Sequence, residues 1–288
     1  MKVLQQTIAS FGAPLWIESL EQAYGSALIA RWRHLNGRLH ISTADAVRVC
    51  LSLSTGQQVR IAERDRSLST SVLAGDVIVL RPGIPSETTL EGDAEVVQIF
   101  IPPDSLGRAA SETLAARLVA PPGDALKRAA IQLFVAVRHD DWRSRAVAEV
   151  RLRDRVRDLL TAPADDEIGY MHGGLPPMAI SRAERLIAEA MDGPNSSSPT
   201  VTQLAATAHV STNHFIRSFR HVLGTTPHQL VMARRCQRAM ELLRHRGLTI
   251  ADVSDEAGYS SPAYFVASFR QQLGVTPGAY QRAVTTKG

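Results

Sequence analysis

Two side chains near the C-terminal end of the chain have the types and the spacing that base recognition requires. Asn213 and Arg217 lie four residues apart, so on a helix they point in the same direction. Arginine donates two hydrogen bonds to guanine, and asparagine pairs with adenine, in the major groove of DNA. Thr212 and His214 extend the same predicted surface. We therefore expect a helix face that contacts DNA bases; the alternative is a solvated helix face with no partner.

This helix belongs to a pattern that occurs twice. The first copy runs from Thr200 to Pro227 and the second from Thr249 to Pro277, with one residue inserted in the second turn. The copies share Phe215/Phe265, Phe219/Phe269, Arg220/Arg270, Leu223/Leu273, Gly224/Gly274 and Thr226-Pro227/Thr276-Pro277. Each copy predicts two short helices joined by a tight turn, a unit that binds DNA in many proteins. A purely structural repeat of paired helices is the alternative.

Capping residues indicate where these helices begin. Thr200 with Gln203 has the pattern of a capping box, and Ser211 is the predicted cap of the second helix. Between the copies, Thr226-Pro227 predicts a helix that runs to about Arg244. A helix of that length can hold the two DNA-contacting helices close to one DNA turn apart.

The paired motifs resemble the AraC/XylS family of bacterial transcription regulators over about residues 178–284. They read S-x3-F-x-R-x-F-R-x2-L-G-x-T-P, then a long helix, then S-x2-Y-F-x2-S-F-R-x2-L-G-V-T-P. The resemblance implies a sequence-specific, DNA-binding transcription regulator in the cytoplasm, an activator that acts with RNA polymerase on double-stranded DNA. It also implies that the positions matching Asn213 and Arg217 contact bases.

The second motif departs from the family on its outer face. Relatives commonly have arginine where this chain has Ala267, and Pro262, Ala263 and Val266 also lack hydrogen-bonding side chains. Such a face can touch thymine methyl groups or the DNA backbone, but it cannot form paired hydrogen bonds with a base. We therefore expect the first motif to dominate sequence recognition. The complete predicted DNA-binding set is Thr212, Asn213, His214, Arg217, Arg220, Ser261, Tyr264 and Arg270.

The excess positive charge of the chain lies in this region. From Met178 onward there are 12 Lys and Arg against 7 Asp and Glu, a net charge of +5. The rest of the 288-residue chain holds the other 20 of 32 basic and 21 of 28 acidic residues, a net charge of −1. Attraction to DNA phosphates requires such a distribution. The composition also predicts two domains, with neither a membrane span nor a signal peptide.

Short apolar stretches before residue 104 predict an antiparallel β domain. The predicted strands are 27–32, 38–41, 46–53, 59–63, 69–73, 77–80 and 94–101, and residues 1–24 show no clear period. The stretch from Leu73 to Pro85 resembles the cupin-type effector domain of many AraC/XylS regulators, which implies a barrel that binds a small molecule. Ser86 stands where metal cupins have a histidine, and His34 and His40 are too few for such a site. We therefore expect no metal and no cofactor.

The predicted fold class is α+β with two domains, an N-terminal cupin-like β-barrel with trailing helices and a C-terminal all-α tandem helix-turn-helix domain. The predicted bounds are 1–104 for the effector barrel, 105–162 for a helical segment, 163–177 for a linker and 178–288 for the DNA-binding domain. Such helical segments pair two subunits in relatives, so we expect a homodimer; packing on their own barrel is the alternative. Cys50 and Cys236 match neither a disulfide framework nor a metal-site spacing, which suits a reducing cytoplasm.

The sequence leaves the effector open. Arg60 and Arg64, followed by Asp65 and Ser67, resemble the RxxxR and D/N-x-S-x2-G pattern with which some regulators bind cyclic di-guanylate. Thr70 replaces the expected glycine, and RxxxR pairs arise by chance in an arginine-rich chain. An unspecified small organic ligand is the first expectation and cyclic di-guanylate the second, and the absence of any soluble ligand is a further alternative. As a function, the alternative to a regulator is an enzyme with an appended DNA-binding domain, although no Ser/His/Asp set or phosphate-binding glycine loop supports it.

Overall fold

A computed structural model describes residues 2–20, 27–42, 44–55, 57–63, 66–106, 125–139, 142–161, 186, 199–223, 226–245 and 247–286. The chain divides into two compact units. The first comprises Met1–Ala164 together with Leu273–Gly288, and the second comprises Asp165–Gln272. The predicted linker, residues 163–177, lies entirely in residues that are not described. The domain bounds drawn from the sequence stay predictions.

The first unit combines strands with helices. Its elements are α1 (Lys2–Phe11), β1 (Trp16–Leu20), β2 (Ala27–Ile41), β3 (Val47–Ser52), β4 (Gln57–Glu63), β5 (Arg66–Val72), β6 (Val77–Leu80), β7 (Ser86–Ile101), a short 3-10 helix (Pro103–Leu106), α2 (Ala125–Arg138) and α3 (Trp142–Thr161). The last helix of the chain, Pro277–Thr285, also belongs to this unit. Among the described helices, none has the length and apolar character that crossing a membrane requires.

The strands form one antiparallel sheet organised around β7. This strand pairs with β2 on one side and with β3 and β4 on the other. β1 extends the sheet beyond β2, β6 extends it beyond β3, and β5 pairs with β4. The predicted antiparallel sheet is therefore confirmed. Among the described strands, the order of hydrogen-bonded neighbours runs from β1 to β6, and these two strands do not pair with each other. The sheet is therefore open and does not form the closed ring expected of a barrel.

A distant side chain stabilises the first helix. The backbone amides of Lys2 and Val3 donate to the carboxylate of Asp45 at 2.6 and 3.0 Å. Burial acts to raise the pKa of Asp45, but these backbone hydrogen bonds outweigh it and leave that pKa below its ordinary value. Neither α1 nor β1 was expected from the sequence, because a cap supplied from more than forty residues away leaves no local pattern.

Two strands are longer than their sequence patterns predict. β2 is continuous from Ala27 to Ile41 because shifts in pairing around His34 and Gly37 absorb its polar middle. Both residues have positive φ, 55° and 123°. β7 begins at Ser86 rather than at Ala94, since its polar first half pairs with β2 on one side and with β4 on the other. Main-chain hydrogen bonds to the neighbouring strands keep these polar stretches in the sheet, although their sequences lack the alternating apolar residues that predict a strand.

α2 and α3 lie in the segment 105–162 that was predicted to be helical, of which residues 107–124 are not described. α3 buries one stripe at intervals of four residues: Ala148, Leu152, Val156 and Leu160. Its Trp142, Val147 and Val150 are 70%, 50% and 46% exposed. The helix therefore has a buried apolar stripe and a second, exposed group of apolar side chains.

A buried ion pair fixes the last helix of the chain to the sheet. Arg31 on β2 and Glu95 on β7 form a salt bridge in which the side chains are 1% and 3% exposed. Arg31 Nε donates to Glu95 Oε1 at 2.7 Å, and its Nη2 donates to the backbone oxygen of Val284 at 2.7 Å. Arg33 Nε donates to the same Glu95 oxygen at 2.7 Å. The guanidinium of Arg31 thus satisfies a carbonyl that the helix end leaves without an intrahelical partner.

The second unit contains the repeated helices. They are α4 (Val201–Thr207), α5 (Thr212–Leu223), α6 (Pro227–Leu242), α7 (Ile250–Glu256) and α8 (Pro262–Leu273), whose last residue falls in the first unit; the Pro277–Thr285 helix is α9. α4, α6 and α7 begin with complete capping boxes at Thr200, Thr226 and Thr249. Capping explains why these short helices begin where the sequence predicts.

We expect Glu95→Ala to lower the free energy of unfolding of the full-length protein by about 3–5 kcal/mol, because it leaves the buried Arg31 guanidinium without its carboxylate. Glu87→Ala is the matched control. Glu87 lies on the same strand, is 48% exposed and reaches Arg38 only at 4.0 Å. Its removal should cost less than about 1 kcal/mol. Urea unfolding followed by circular dichroism measures both, and equal losses would contradict the role given to the buried pair.

Candidate nucleic-acid interface

Both copies of the motif use the same turn. His209 and Gly258 occupy equivalent places and have φ of 54° and 77°. In each copy the next amide donates back to the first helix: Val210 N to Ala205 O at 3.2 Å, and Tyr259 N to Ser254 O at 3.0 Å. A left-handed residue followed by this bond is how many helices end, and glycine adopts the conformation at lower cost than histidine. The turns are therefore equivalent up to the inserted Ser260.

The packing of α5 determines which side chains it presents. Phe215 and Phe219 are fully buried at 0% exposure and pack with Leu204 and Leu230. Ser211 caps the helix, since its Oγ accepts from His214 N at 3.3 Å. The ring planes of the two phenylalanines are tilted, with centroids 5.3 Å apart. This anchoring fixes the rotation of the helix about its axis.

The opposite face of α5 carries the predicted base contacts. Asn213, Arg217 and Arg220 are exposed, whereas Thr212 and His214 are half-buried. The His214 ring lies 3.4 Å from Ser218 Oγ, on the same helix. Asn213 and Arg217 are therefore neighbouring, exposed polar side chains with no hydrogen-bond partner among the described residues. Both can enter a DNA groove without breaking an existing hydrogen bond.

The corresponding face of α8 is apolar. Ala263 and Ala267 occupy the positions equivalent to Asn213 and Arg217, and both are exposed. Pro262 is also exposed and Val266 is half-buried. Phe265 and Phe269 are fully buried, as in the first copy. α8 therefore has the orientation of a DNA-contacting helix but offers no hydrogen bonds to base edges at these positions.

Three polar residues of the second motif flank this apolar face. Ser261 caps α8, with its Oγ accepting from Tyr264 N at 3.2 Å. Tyr264 is 43% exposed, stacks edge-on against Tyr259 and donates to Met232 Sδ at 3.9 Å. Arg270 is exposed. These side chains have the positions and types that suit phosphate contacts, which fix the register of a protein on DNA without reading its sequence.

α6 connects the two motifs. It ends at Leu242, two residues before the predicted end, and its 16 residues span about 24 Å. Val231, Met232, Met240 and Leu243 are buried, as the sequence predicts. Arg238 is exposed, whereas Arg234 is half-buried and donates to Gln237 Oε1 at 3.4 Å.

The predicted cyclic di-guanylate residues do not form one described site. Arg60 is exposed on β4 and lines a shallow groove with Arg38, Ser69 and Glu91. Ser67 lies further along β5, and Arg64 and Asp65 are outside the described residues.

His34 and His40 lie exposed on β2. His34 Nδ1 is 2.9 Å from the Asp93 carboxylate, also at the surface. Within the described ranges, His, Cys, Asp and Glu side chains do not gather into a group of three or more that could hold a metal ion.

Residues 204–283 match the protein family described as Helix-turn-helix domain. The chain is 35% identical over 85 residues to the RCS-specific HTH-type transcriptional activator RclR of Escherichia coli (strain K12). Those 85 residues are 30% of this chain and 30% of RclR. Over 63 residues it is 38% identical to the HTH-type transcriptional regulator ExsA of Pseudomonas aeruginosa, 22% of this chain and 23% of ExsA. The chain thus spans less than a third of the length of these curated relatives.

Two solved structures are among those that the chain matches. The DNA-binding domain of AdpA in complex with a target DNA has a TM-score of 0.32 and 28% identity, covering 36% of this chain and 91% of that chain. ToxT from Vibrio cholerae O395 has a TM-score of 0.33 and 13% identity, covering 90% of this chain and 98% of that chain.

We expect Arg217→Ala to weaken DNA binding by about 1–3 kcal/mol and to relax the preference at one or two base pairs, because it removes a side chain that can pair with guanine. Arg270→Ala is the matched control on the second motif. It should weaken binding evenly across sequences. It should also reduce the slope of log affinity against log salt concentration by about the amount that one phosphate contact contributes. Fluorescence anisotropy on matched and mutated DNA sites, at several salt concentrations, separates the two. Identical, uniform losses would show that Arg217 is not a base-contacting residue.

Proposed function

We propose, from the AraC-type helix-turn-helix domain that residues 204–283 carry, that this chain is a sequence-specific DNA-binding transcription regulator. The observation that carries the proposal is the exposed pair Asn213 and Arg217, held outward by the buried phenylalanines of α5. Relatives such as RclR and ExsA are named as transcriptional regulators. Those names favour a regulator over an enzyme with an appended DNA-binding domain.

The two motifs have different tasks in this proposal. α5 contacts base edges through Asn213 and Arg217, with Thr212 and His214 at the margin of the contact. α8 lies on DNA through an apolar face, and Ser261, Tyr264 and Arg270 hold phosphates, as Arg220 does in the first copy. Exposed alanines at the two equivalent positions of α8 support this division. Thymine methyl groups are the base feature that such a face can still contact.

We further propose that the N-terminal unit is a cupin-like sensor, with a sheet that encloses a small-molecule effector. A cavity inside the sheet supports this role. The protein would act in the cytoplasm as an activator that engages RNA polymerase once bound to double-stranded DNA. No metal or other cofactor enters this scheme.

A homodimer completes the proposal. Trp142, Val147 and Val150 expose apolar surface on α3, at 70%, 50% and 46%. Aromatic side chains are enriched where protein surfaces meet, and a second copy of α3 would cover these residues. Two copies would also present two pairs of motifs to DNA, which is typical of regulators that bind paired half-sites.

We expect Ala267→Arg to strengthen binding of the full-length protein to DNA and to create a new base preference beside the site read by α5. The exposed Ala267 is equivalent to Arg217, so an arginine there gains access to the groove that α8 faces. Gln271→Arg on the same helix is the control, since Gln271 is exposed one turn further along. It adds equal charge and should strengthen binding without a new base preference.

Affinity and specificity are measured by anisotropy on a panel of single-base variants of one site. If Ala267→Arg and Gln271→Arg behave alike, α8 does not face base edges. If the unaltered protein binds no DNA with a sequence preference, the proposed function itself is wrong.

A further inference from the structure

The sheet of the first unit encloses a cavity of about 50 Å³. Strands β2 to β7 all contribute to its lining, and Phe11 at the end of α1 closes one side. Most of the wall is apolar, including Leu35, Leu39, Val59, Ile61, Leu80 and Leu90. A wall of this kind takes the apolar body of a small organic molecule.

One arginine lies in this apolar surrounding. Arg48 is 1% exposed and lines the cavity from β3, and its Nη2 donates to Ser86 Oγ at 2.9 Å. Cys50 and Ser52 lie on the same face of the strand, because side chains alternate. Among the described lining residues, Arg48 is the one with a permanent charge. Burial raises the pKa of the Cys50 thiol to about 11, so the thiol stays neutral beside Arg48.

Two further polar groups in the cavity wall are buried with unused hydrogen-bonding capacity. Thr88 is 8% exposed and Gln98 is 5% exposed, both on β7. Thr88 Oγ1 and Gln98 Oε1 have no hydrogen-bond partner among the described residues. Gln98 lies directly opposite Cys50 in the pairing of β7 with β3, so it adjoins the face that carries Arg48. Leaving such groups unpaired is costly, and a polar ligand that meets them removes that cost.

These features favour an anion with a single charge. A guanidinium in an apolar cavity is stabilised by an opposite charge that reaches it through hydrogen bonds. The planar fork of arginine matches the two oxygens of a carboxylate. A phosphate monoester would bring nearly two negative charges to one guanidinium, which suits this site less well. A hydroxyl group on the ligand can in addition donate to Gln98 Oε1.

We propose that this cavity is the effector site and binds a small carboxylate with an apolar body, with Arg48 as its anchor; the inference rests on the proposed function of a ligand-controlled regulator. Typical ligand pockets measure about 300 Å³ or more, so an occupant must move the lining apart. Ala94 and Val96 belong to that lining and flank Glu95, which holds Arg31 and through it α9. Occupancy of the cavity is thereby coupled to the buried ion pair.

The test uses the full-length protein and a panel of benzoate, 3-hydroxybenzoate, hexanoate and octanoate. The amides of the same acids serve as neutral probes of equal shape. At least one acid should raise the melting temperature and give heat in calorimetry, while its amide does not. Arg48→Met should weaken that acid roughly 10- to 100-fold, since it removes charge-assisted hydrogen bonds and keeps the apolar volume. Arg60→Met is the matched control, because Arg60 is exposed and does not line the cavity. The Arg60→Met protein should bind the acid with the affinity of the wild type.

Three results overturn the inference. They are no binding by any acid of the panel, equal binding of acid and amide, and unchanged affinity in Arg48→Met. The comparison of acid with amide needs only the wild-type protein, so it decides the question even if Arg48→Met fails to fold. DNA binding is measured on the same preparation by anisotropy. If sequence-specific DNA binding persists while no acid binds, the ligand class is wrong and the regulator stands; if DNA binding is absent, the proposed function fails instead.

Discussion

Burial of two phenylalanines in each of α5 and α8 is the constraint on which the rest of the C-terminal region depends. Phe215 and Phe219 lie one turn apart on α5, and Phe265 and Phe269 do so on α8, all at 0% exposure. A residue two places earlier is rotated by about 200° around a helix, so it faces away from the core. That rule exposes Asn213 and Arg217 on α5 and Ala263 and Ala267 on α8. The same packing therefore produces two surfaces of different chemistry.

The N-terminal unit depends on a corresponding rule for strands. Alternation on β3 separates Val47, Val49 and Leu51 from Arg48, Cys50 and Ser52, and α2 packs on this strand. Both faces are covered, so the polar face meets a cavity instead of water. On β7 the same alternation places Ala94 and Val96 toward the cavity and Glu95 toward Arg31. One strand thus connects an apolar cavity that Arg48 lines to the ion pair that holds α9.

Local signals in the sequence account for the helices of the second unit. Capping pairs such as Thr200–Gln203 and Thr226–Gln229 act within one turn, so the sequence contains all the groups that set these helix starts. α1 escaped prediction because Asp45 caps it from a distant part of the chain. The length of β7 escaped it because main-chain pairing on both sides needs no apolar residues.

The candidate sites also differ in how far the sequence alone predicts them. The exposure of Asn213 and Arg217 follows from spacing, and the structure places them where spacing predicts; their contact with bases stays a prediction. Arg48 could not be singled out, because alternation separates two faces of β3 without telling which one meets an enclosed space. Arg60 and Ser67 match a short pattern and are exposed on β4 and β5, whereas Arg64 and Asp65 lie outside the described residues, so this site stays a prediction. Short motifs carry less information than a repeat with its own core.

We propose that one motif reads the DNA sequence and that the other mainly holds the DNA backbone. Selection of binding sites from randomised DNA by the full-length protein tests it most directly, because it measures the information content at each base pair without assuming a target. We expect one sharply defined segment contacted by α5 and, about one helical turn away, a second segment with a weak preference. Two segments of equal sharpness would contradict it.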